Sequence, residues 1–427
     1  MAGAKAVSGK QRDIRSLALL LICGLVLFSM STAVGKPSYR QEERSCRALR
    51  SMARVYMAYG DYSKAQPLVE QALGLAKTNN ASDSELCLCL IDLAWLYKNQ
   101  GKLADAEKMC ELGLKLQEKA YYAGHPHVAY TLRILSSIYQ ERGKYRQAGP
   151  VLDRAMAIMQ KIYPSDEQVM ASFQVDIAKL LVARGKFAEA ESYYTQALAS
   201  IEKSYGPKHL YTAGVIGGLA RLYTLQGRCL EAETLIKQTL QIQEEIYGAD
   251  HHFLTPAWLT MAKICQAKKD YTEAEKLLKK ALVVVEKKQG AEHPLRGKVL
   301  SLLGGLYVVD EKYAEAEGVC KQAVKVLENS LGSENDFTAM AVNNLARLYI
   351  HQGKYSEAED LCRGALTTLE NIFDENHPNV AEVLETMAHL HHRSGAVGQA
   401  TKLRRRIEQI HASNQAAHRL VAKAIER

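Results

Sequence analysis

One column of side chains carries most of the chemistry this sequence offers. Taken at steps of 41 and then 42 residues it reads Arg54, Trp95, Ser137, Lys179, Arg221, Lys263, Gly305, Arg347 and His389, and Arg50 and Arg133 add cations one turn earlier. Guanidinium and ammonium groups repeated along one face fit an extended acidic peptide or a free C-terminal carboxylate, with Arg supplying paired hydrogen bonds. Trp95 adds an aromatic wall against which an anchor residue can pack. The plainer explanation competes with this one, because solvent-facing helix positions often hold Lys and Arg paired with neighbouring acids.

Other reactive residue types are less promising. His389 and His392 lie three apart on one face and reach Glu385, but no outer layer of hydrogen-bonding residues supports a metal there. His391 falls in a column of rings and reads as a buried substitute. His125, His293 and His377 each precede a Pro at repeating intervals and read as turn residues. Cys87-Leu-Cys89 is too closely spaced for a zinc knuckle and has no second pair. The sequence holds no Gly-rich phosphate loop, no HExxH and no nucleophile elbow. It therefore calls for no catalytic residue, no cofactor and no metal.

The elements that hold the column in place are legible as a repeat. A small residue recurs as Ala53, Ala94, Ser136, Ala178, Ala220, Ala262, Gly304, Ala346 and Ala388. Three residues later comes Tyr56, Tyr97, Tyr139, Leu181, Tyr223, Cys265, Tyr307, Tyr349 and His391. A turn column follows: Gly60, Gly101, Gly143, Gly185, Gly227, Lys269, Glu311, Gly353 and Gly395. A second small column runs from Ala65 through Ala106, Ala148, Ala190, Ala232, Ala274, Ala316 and Ala358 to Ala400. Leu93, Ala94 and Tyr97 make one apolar stripe on a helix, and the turn glycine permits the left-handed backbone that ends it. Thr272-Glu-Ala-Glu275 and Ser356-Glu-Ala-Glu359 read as capping boxes of a second helix. Pro67 and Pro150 read as residues of that helix's first turn. Gly206, Gly248, Gly290 and Gly332 close it, and Pro126, Pro294 and Pro378 open the next unit.

The phrase Asn344-Leu-Ala-Arg-Leu-Tyr349-Ile-His-Gln-Gly353-Lys-Tyr-Ser-Glu-Ala358-Glu and the Gly-x-x-His-Pro linker resemble the tetratricopeptide repeat, in the 42-residue variety of kinesin light chains. The resemblance implies an all-α, right-handed α-solenoid of about nine antiparallel helix pairs over 45–400. It also implies that the first helix of each pair lines a concave groove. Kinesin light chains bear Asn pairs on that helix for gripping peptides; only Asn343-Asn344 matches, so Asn343 joins the candidate contacts. The heptads that precede their repeats are absent here, which argues against motor-cargo binding.

The ends differ from the middle. Lys5, Lys10, Arg12 and Arg15 against Asp13, then the apolar run Leu17–Met30 and Ser31-Thr-Ala33, form the pattern of a signal peptide over 1–33, or of an uncleaved anchor across 16–34. A linker is expected over 34–44. That pattern points to a secreted, periplasmic or membrane-anchored protein, with a mitochondrial or cytoplasm-facing location as the alternative. Residues 401–427 read as a basic capping helix built on Leu403, Ile407 and Ile410, then Leu420, Val421 and Ile425, with Arg404 in the buried column of Cys362. These two ends supply about all of the net charge of +8. The near-neutral body argues against a phosphate-tracking surface, and Ile91, Val175, Gly217 and Leu259 do not resemble base-reading residues, so nucleic acid is not an expected partner. Eight cysteines remain after Cys23, and Cys110, Cys320 and Cys362 share one buried column, so few disulfides are expected.

Two functions compete. One is a non-catalytic scaffold that binds peptide segments of other proteins in its groove. The other is a structural protein that associates with copies of itself in an envelope or organelle-membrane assembly.

Overall fold

In the computed structural model, residues 39–78 and 83–425 are described, with side chains from 44 to 77 and 83 to 414. The repeated phrase folds nine times into a helix, a tight turn and a second helix. In chain order the pairs are α1 (Tyr39–Ala58) and α2 (Tyr62–Thr78), α3 (Asp83–Asn99) and α4 (Leu103–Ala120), α5 (Pro126–Glu141) and α6 (Tyr145–Ile162), α7 (Glu167–Ala183) and α8 (Phe187–Tyr205), and α9 (Leu210–Leu225) and α10 (Cys229–Tyr247). Then come α11 (Thr255–Ala267) and α12 (Tyr271–Gln289), α13 (Pro294–Val309) and α14 (Tyr313–Leu331), α15 (Asp336–His351) and α16 (Tyr355–Ile372), and α17 (Pro378–Arg393) and α18 (Val397–Ile425). A 3-10 turn, His252–Leu254, leads into α11. No strand occurs among the described residues. The architecture is the expected all-α solenoid.

The two small-residue columns explain the pairing. Every member of both is buried, most of them completely, so the helices of a pair approach closely with only small side chains at the crossing. The turn column has left-handed backbone throughout, and Lys269 (φ 65°) and Glu311 (φ 60°) adopt it without glycine. Cys110, Cys320 and Cys362 are buried, and burial pushes their thiols up to about 12, so they behave as small apolar residues.

Successive pairs are joined by a polar clamp. Glu275 accepts from the Tyr307 hydroxyl at 3.1 Å and pairs with Lys312 at 2.8 Å, one repeat on. Glu191 does the same with Tyr223 at 3.0 Å and Arg228 at 2.8 Å. This corrects the capping-box reading. The helices begin at Tyr271 and Tyr355, so Thr272 and Ser356 already lie inside them. Asp270 caps α12 by accepting from the Glu273 N–H, and Glu275 is free to reach the next repeat. Pro67 and Pro150 are likewise the sixth residues of α2 and α6, one turn deeper than expected. The glycine closures stand, with Gly206, Gly248, Gly290 and Gly332 all at positive φ. The linker His is a helix cap: Nδ1 of His293 and of His377 accepts the N–H two residues on, each at 3.1 Å.

Two compact units make up the chain. The first holds residues through Gln100 and Ala104–Thr131, and the second holds Gly101–Leu103 and everything from Leu132 onward. The first is built on Ala53, Met57, Val69, Leu93 and Leu96. The largest core of the second surrounds Trp258, Leu278, Val299 and Leu303, with Trp258 fully buried in it. In the ninth pair, α18 continues unbroken through the segment expected as a separate cap. Ile407 and Ile410 are buried, whereas Arg404 is exposed, unlike Cys362 in the same column. The N-terminal segment 1–33, residues 34–38 of the expected linker, and the side chains of Leu420, Val421 and Ile425 lie outside the described residues, whereas 39–44 already belong to α1. No described helix is long and apolar enough to cross a membrane.

The second unit also closes on itself, which no repeat column announces. The Tyr145 hydroxyl donates to Asp336 Oδ2 at 3.1 Å, 191 residues away. Phe373 stacks on Tyr145 with ring centres 5.2 Å apart and on His377 at 3.7 Å. His377 Nε2 donates to the Ala183 carbonyl at 3.0 Å. Together these contacts form a clasp between the third and fourth pairs and the eighth and ninth. His377 must be neutral to cap α17 through Nδ1 while donating from Nε2, and burial pushes it down to about 4. A base with a depressed folded pKa stabilises the fold above its unfolded value of about 6.5. That contribution is lost as pH falls from 6.5 towards 4. Urea midpoints of the second unit should therefore drop over that range, and His377→Asn, which keeps the cap and removes the titration, should flatten the drop. An unchanged slope in the variant would exclude His377 as its source.

Candidate functional site

In the first unit the inner column is already engaged. Arg50 is 5% exposed, and its Nε donates to Asp92 Oδ2 at 2.7 Å while its Nη1 lies 3.6 Å from Glu85. Arg54 holds the other oxygen of Asp92 at 2.8 Å. Trp95 is half-buried and packs on the Ala53, Met57 and Leu93 cluster, so its ring is mostly a core ring. These placements give Arg50 and Trp95 structural work, and they leave Arg54 as a half-exposed cation tied to a buried carboxylate.

The same device recurs in the second unit. Arg133 Nε donates to Asp176, and its Nη2 reaches the Ser172 carbonyl at 3.2 Å. Lys179 adds a second cation to Asp176 at 3.2 Å, and their combined charge holds that carboxyl below its usual range despite burial. Arg50 to Asp92, Arg133 to Asp176 and Ser301 to Asn344 are one contact. The residue three before the small column meets the residue two before it in the next repeat. Asn343 occupies the former position and is completely buried, its amide without a hydrogen-bond partner. It is therefore absent from the open face, and Asn344 is the member of the pair bonded to Ser301, at 3.0 Å.

Arg221, Lys263 and Arg347 remain. Among the described residues none of the three has an ion pair within 4.0 Å. Arg221 and Lys263 are exposed to solvent, and Arg347 is half-buried. Their charges reach one another and the facing wall. Crowding by protein pulls Lys263 below its ordinary value, Glu382 opposes the shift and Arg221 adds to it. Lys263 is solvent-exposed, yet enough protein surrounds it to disfavour its charge. The electrostatic influence of Arg221 extends to Tyr145 and Tyr194, and that of Arg347 to Glu385 and His389.

Beside Arg347 lies a cavity of about 960 Å³. The turn and start of α8 form one side, the linker and inner face of α17 the other, and His411 and Asn414 of α18 close the end. Arg347 and Glu382 line it, as do Glu385 and His389. Sequence reasoning missed Glu382 and Glu385 because it followed cations alone. Glu385 occupies the same position as Arg50 and Arg133, but no tenth repeat supplies a partner for it. Burial and the neighbouring Glu382 raise its pKa, with His411 and Arg347 opposing. No group of three or more His, Cys, Asp or Glu side chains suited to a metal ion occurs among the described residues.

Comparison with known proteins accords with this geometry. Models described as tetratricopeptide repeat match residues 48–81, 89–161, 169–245, 253–329, 299–361 and 337–410. No curated relative matches the chain. Among solved structures, a Rap protein complexed with competence and sporulation factor is similar over 88% of this chain and 99% of its own, at 14% identity and TM-score 0.64. Aspartyl phosphate phosphatase F from Bacillus subtilis is similar over 89% and 96%, at 12% identity and TM-score 0.50. A Podosopora anserina protein named as a kinesin light chain covers 47% of this chain and 94% of its own, at 25% identity and TM-score 0.38. The first two likenesses concern the fold alone. The matched repeats extend over most of the residues, and the chain belongs to the tetratricopeptide repeat family.

Proposed function

We propose that this chain is a non-catalytic scaffold that binds peptide segments of other proteins on the inner face of its second unit, with Arg221, Lys263 and Arg347 as contacts. The observation that carries the reading is that none of the three has an ion pair, whereas Arg54 and Lys179 of the same column, and Arg50 and Arg133 one turn earlier, are all paired; Arg347 also lines the cavity. Cations left unpaired on one face are poised for an acidic group delivered by a partner. The fold shared with a Rap protein solved in complex with a factor supports the same reading. Arg54 and Lys179 are secondary contacts that would have to share their carboxylates.

The test is crosslinking and mass spectrometry on the native protein, followed by affinity measurement with the partner found. Converting Arg221, Lys263 and Arg347 together to Glu should weaken that partner by about 100-fold or more, since each charge-assisted contact contributes about 1.5–3 kcal/mol. Unchanged affinity would remove the inner face from the interaction. The same spectra read the first residue of the mature chain. A start at Val34 supports placing the scaffold outside the cytoplasm, and an intact 1–33 segment supports an anchor.

A further inference from the structure

The inner face is not uniformly basic. Glu382 and Glu385 lie one turn apart on α17, both exposed into the 960 Å³ cavity and both without an ion pair within 4.0 Å. Asp374, in the linker before α17, adds a third free carboxylate to the same lining. Arg184 and Arg347 are the unpaired cations of that lining; Lys186 and Arg228 are held by Glu189 and Glu191. Arg221 lies one turn before the lining residue Leu225 on α9, and Lys263 lies in the next repeat's equivalent position on α11. The cations of α9 and α11 and the carboxylates of α17 thus sit on separate elements, and no ion pair spans the gap. Opposite charges that stay unpaired around a cavity open to solvent leave room for a ligand that satisfies both.

We infer that this inner face recognises an extended peptide of segregated charge, its acidic part against Arg221 and Lys263 and its basic part or free amino end against Glu382 and Glu385. The inference rests on the peptide-binding reading above and narrows it. A wholly acidic segment would set its charge against two carboxylates that already repel one another. A segment with a cationic end relieves that repulsion, and the two walls fix which way it runs. Glu382 and Glu385 then set direction and specificity rather than bulk attraction.

Four fluorescein-labelled octapeptides test this by anisotropy at low salt. Lys-Lys-Gly-Ser-Gly-Ser-Asp-Asp is segregated, and Lys-Asp-Gly-Ser-Gly-Ser-Lys-Asp has the same composition without segregation. The other two replace all four charges with Asp or all four with Lys. The segregated peptide should bind about tenfold tighter than its alternating isomer. Glu382→Gln with Glu385→Gln should abolish that preference and leave the all-Asp peptide bound at least as well as before. If the all-Asp peptide binds the native protein best and the glutamine pair changes nothing, peptide binding stands and the bipolar site falls. If no octapeptide binds, and the Arg221, Lys263 and Arg347 charge reversal also leaves the native partner's affinity unchanged, both readings fall together.

Discussion

Gly185→Ala should lower the stability of the second unit by about 2 kcal/mol more than Gly353→Ala does. The two glycines occupy the same column with nearly the same backbone, φ 73° and 76°, so the strain of a left-handed alanine is common to both. They differ in what a Cβ would meet. At Gly353 nothing lies within 4 Å, whereas at Gly185 the new atom would stand 2.8 Å from Pro378 Cδ and 3.1 Å from His377 Cδ2. A proline ring and a buried imidazole cannot swing aside, so the clasp must open or the turn must shift. Gly143, 3.2 Å from Asn335 by the same construction, should behave intermediately. The measurement is a urea titration followed through Trp258, in a Trp95→Phe background. The chain has two tryptophans, one in each unit, so each unit has its own reporter. Equal midpoints for the two alanine variants would mean that α17 does not close on the α7–α8 turn.

Arg50→Met should cost the first unit about 2–3 kcal/mol, at or below the low end of the range for breaking a buried ion pair. Removing the guanidinium strands one oxygen of Asp92 in a buried setting and leaves Glu85 to Arg47 alone at 3.7 Å, while Arg54 still holds the other Asp92 oxygen and limits the loss. Arg54→Met, at a half-exposed position, should cost well under 1 kcal/mol. The double variant Arg50→Met with Asp92→Leu should recover part of the loss, because an apolar pair of similar volume avoids burying charge. Trp95 fluorescence in a Trp258→Phe background reports it. A groove-lining Arg50 would show the opposite pattern, with little change in stability and a weaker partner.

The sequence conveyed the repeat because each of its columns reflects a contact between neighbours: alanines where helices touch, glycine where the chain reverses, a Tyr and a Glu that meet one repeat apart. Contacts with period 42 leave a periodic trace. The same logic gave the linker His as a structural residue. The errors fall where a residue answers to two neighbours at once. Asp92 and Asp176 stand in one column beside Arg50 and Arg133, and reading those columns together would have paired them. Thr272-Glu-Ala-Glu275 satisfies the capping-box pattern, but the Glu is bound to Tyr307 and Lys312 of the following repeat. Asn343 and Asn344 look alike in sequence, and helix phase sends one into the core and one onto the inner face. The clasp was not legible, since contacts 191 and 194 residues apart depend on how small rotations accumulate over many repeats. The acidic wall of the cavity depends on the same closure.

That closure changes how the second unit should come apart. An open row of repeats touches only its nearest neighbours, so its energetics are those of a one-dimensional chain that frays from either end. Joining early pairs to late ones makes a loop, and a loop has no end from which to peel within the span it encloses. Opening any pair between Tyr145 and His377 must first break the Tyr145–Asp336 and His377–Ala183 bonds or strain the loop. Backbone amides of α9 to α14 should therefore exchange with solvent as one cooperative block.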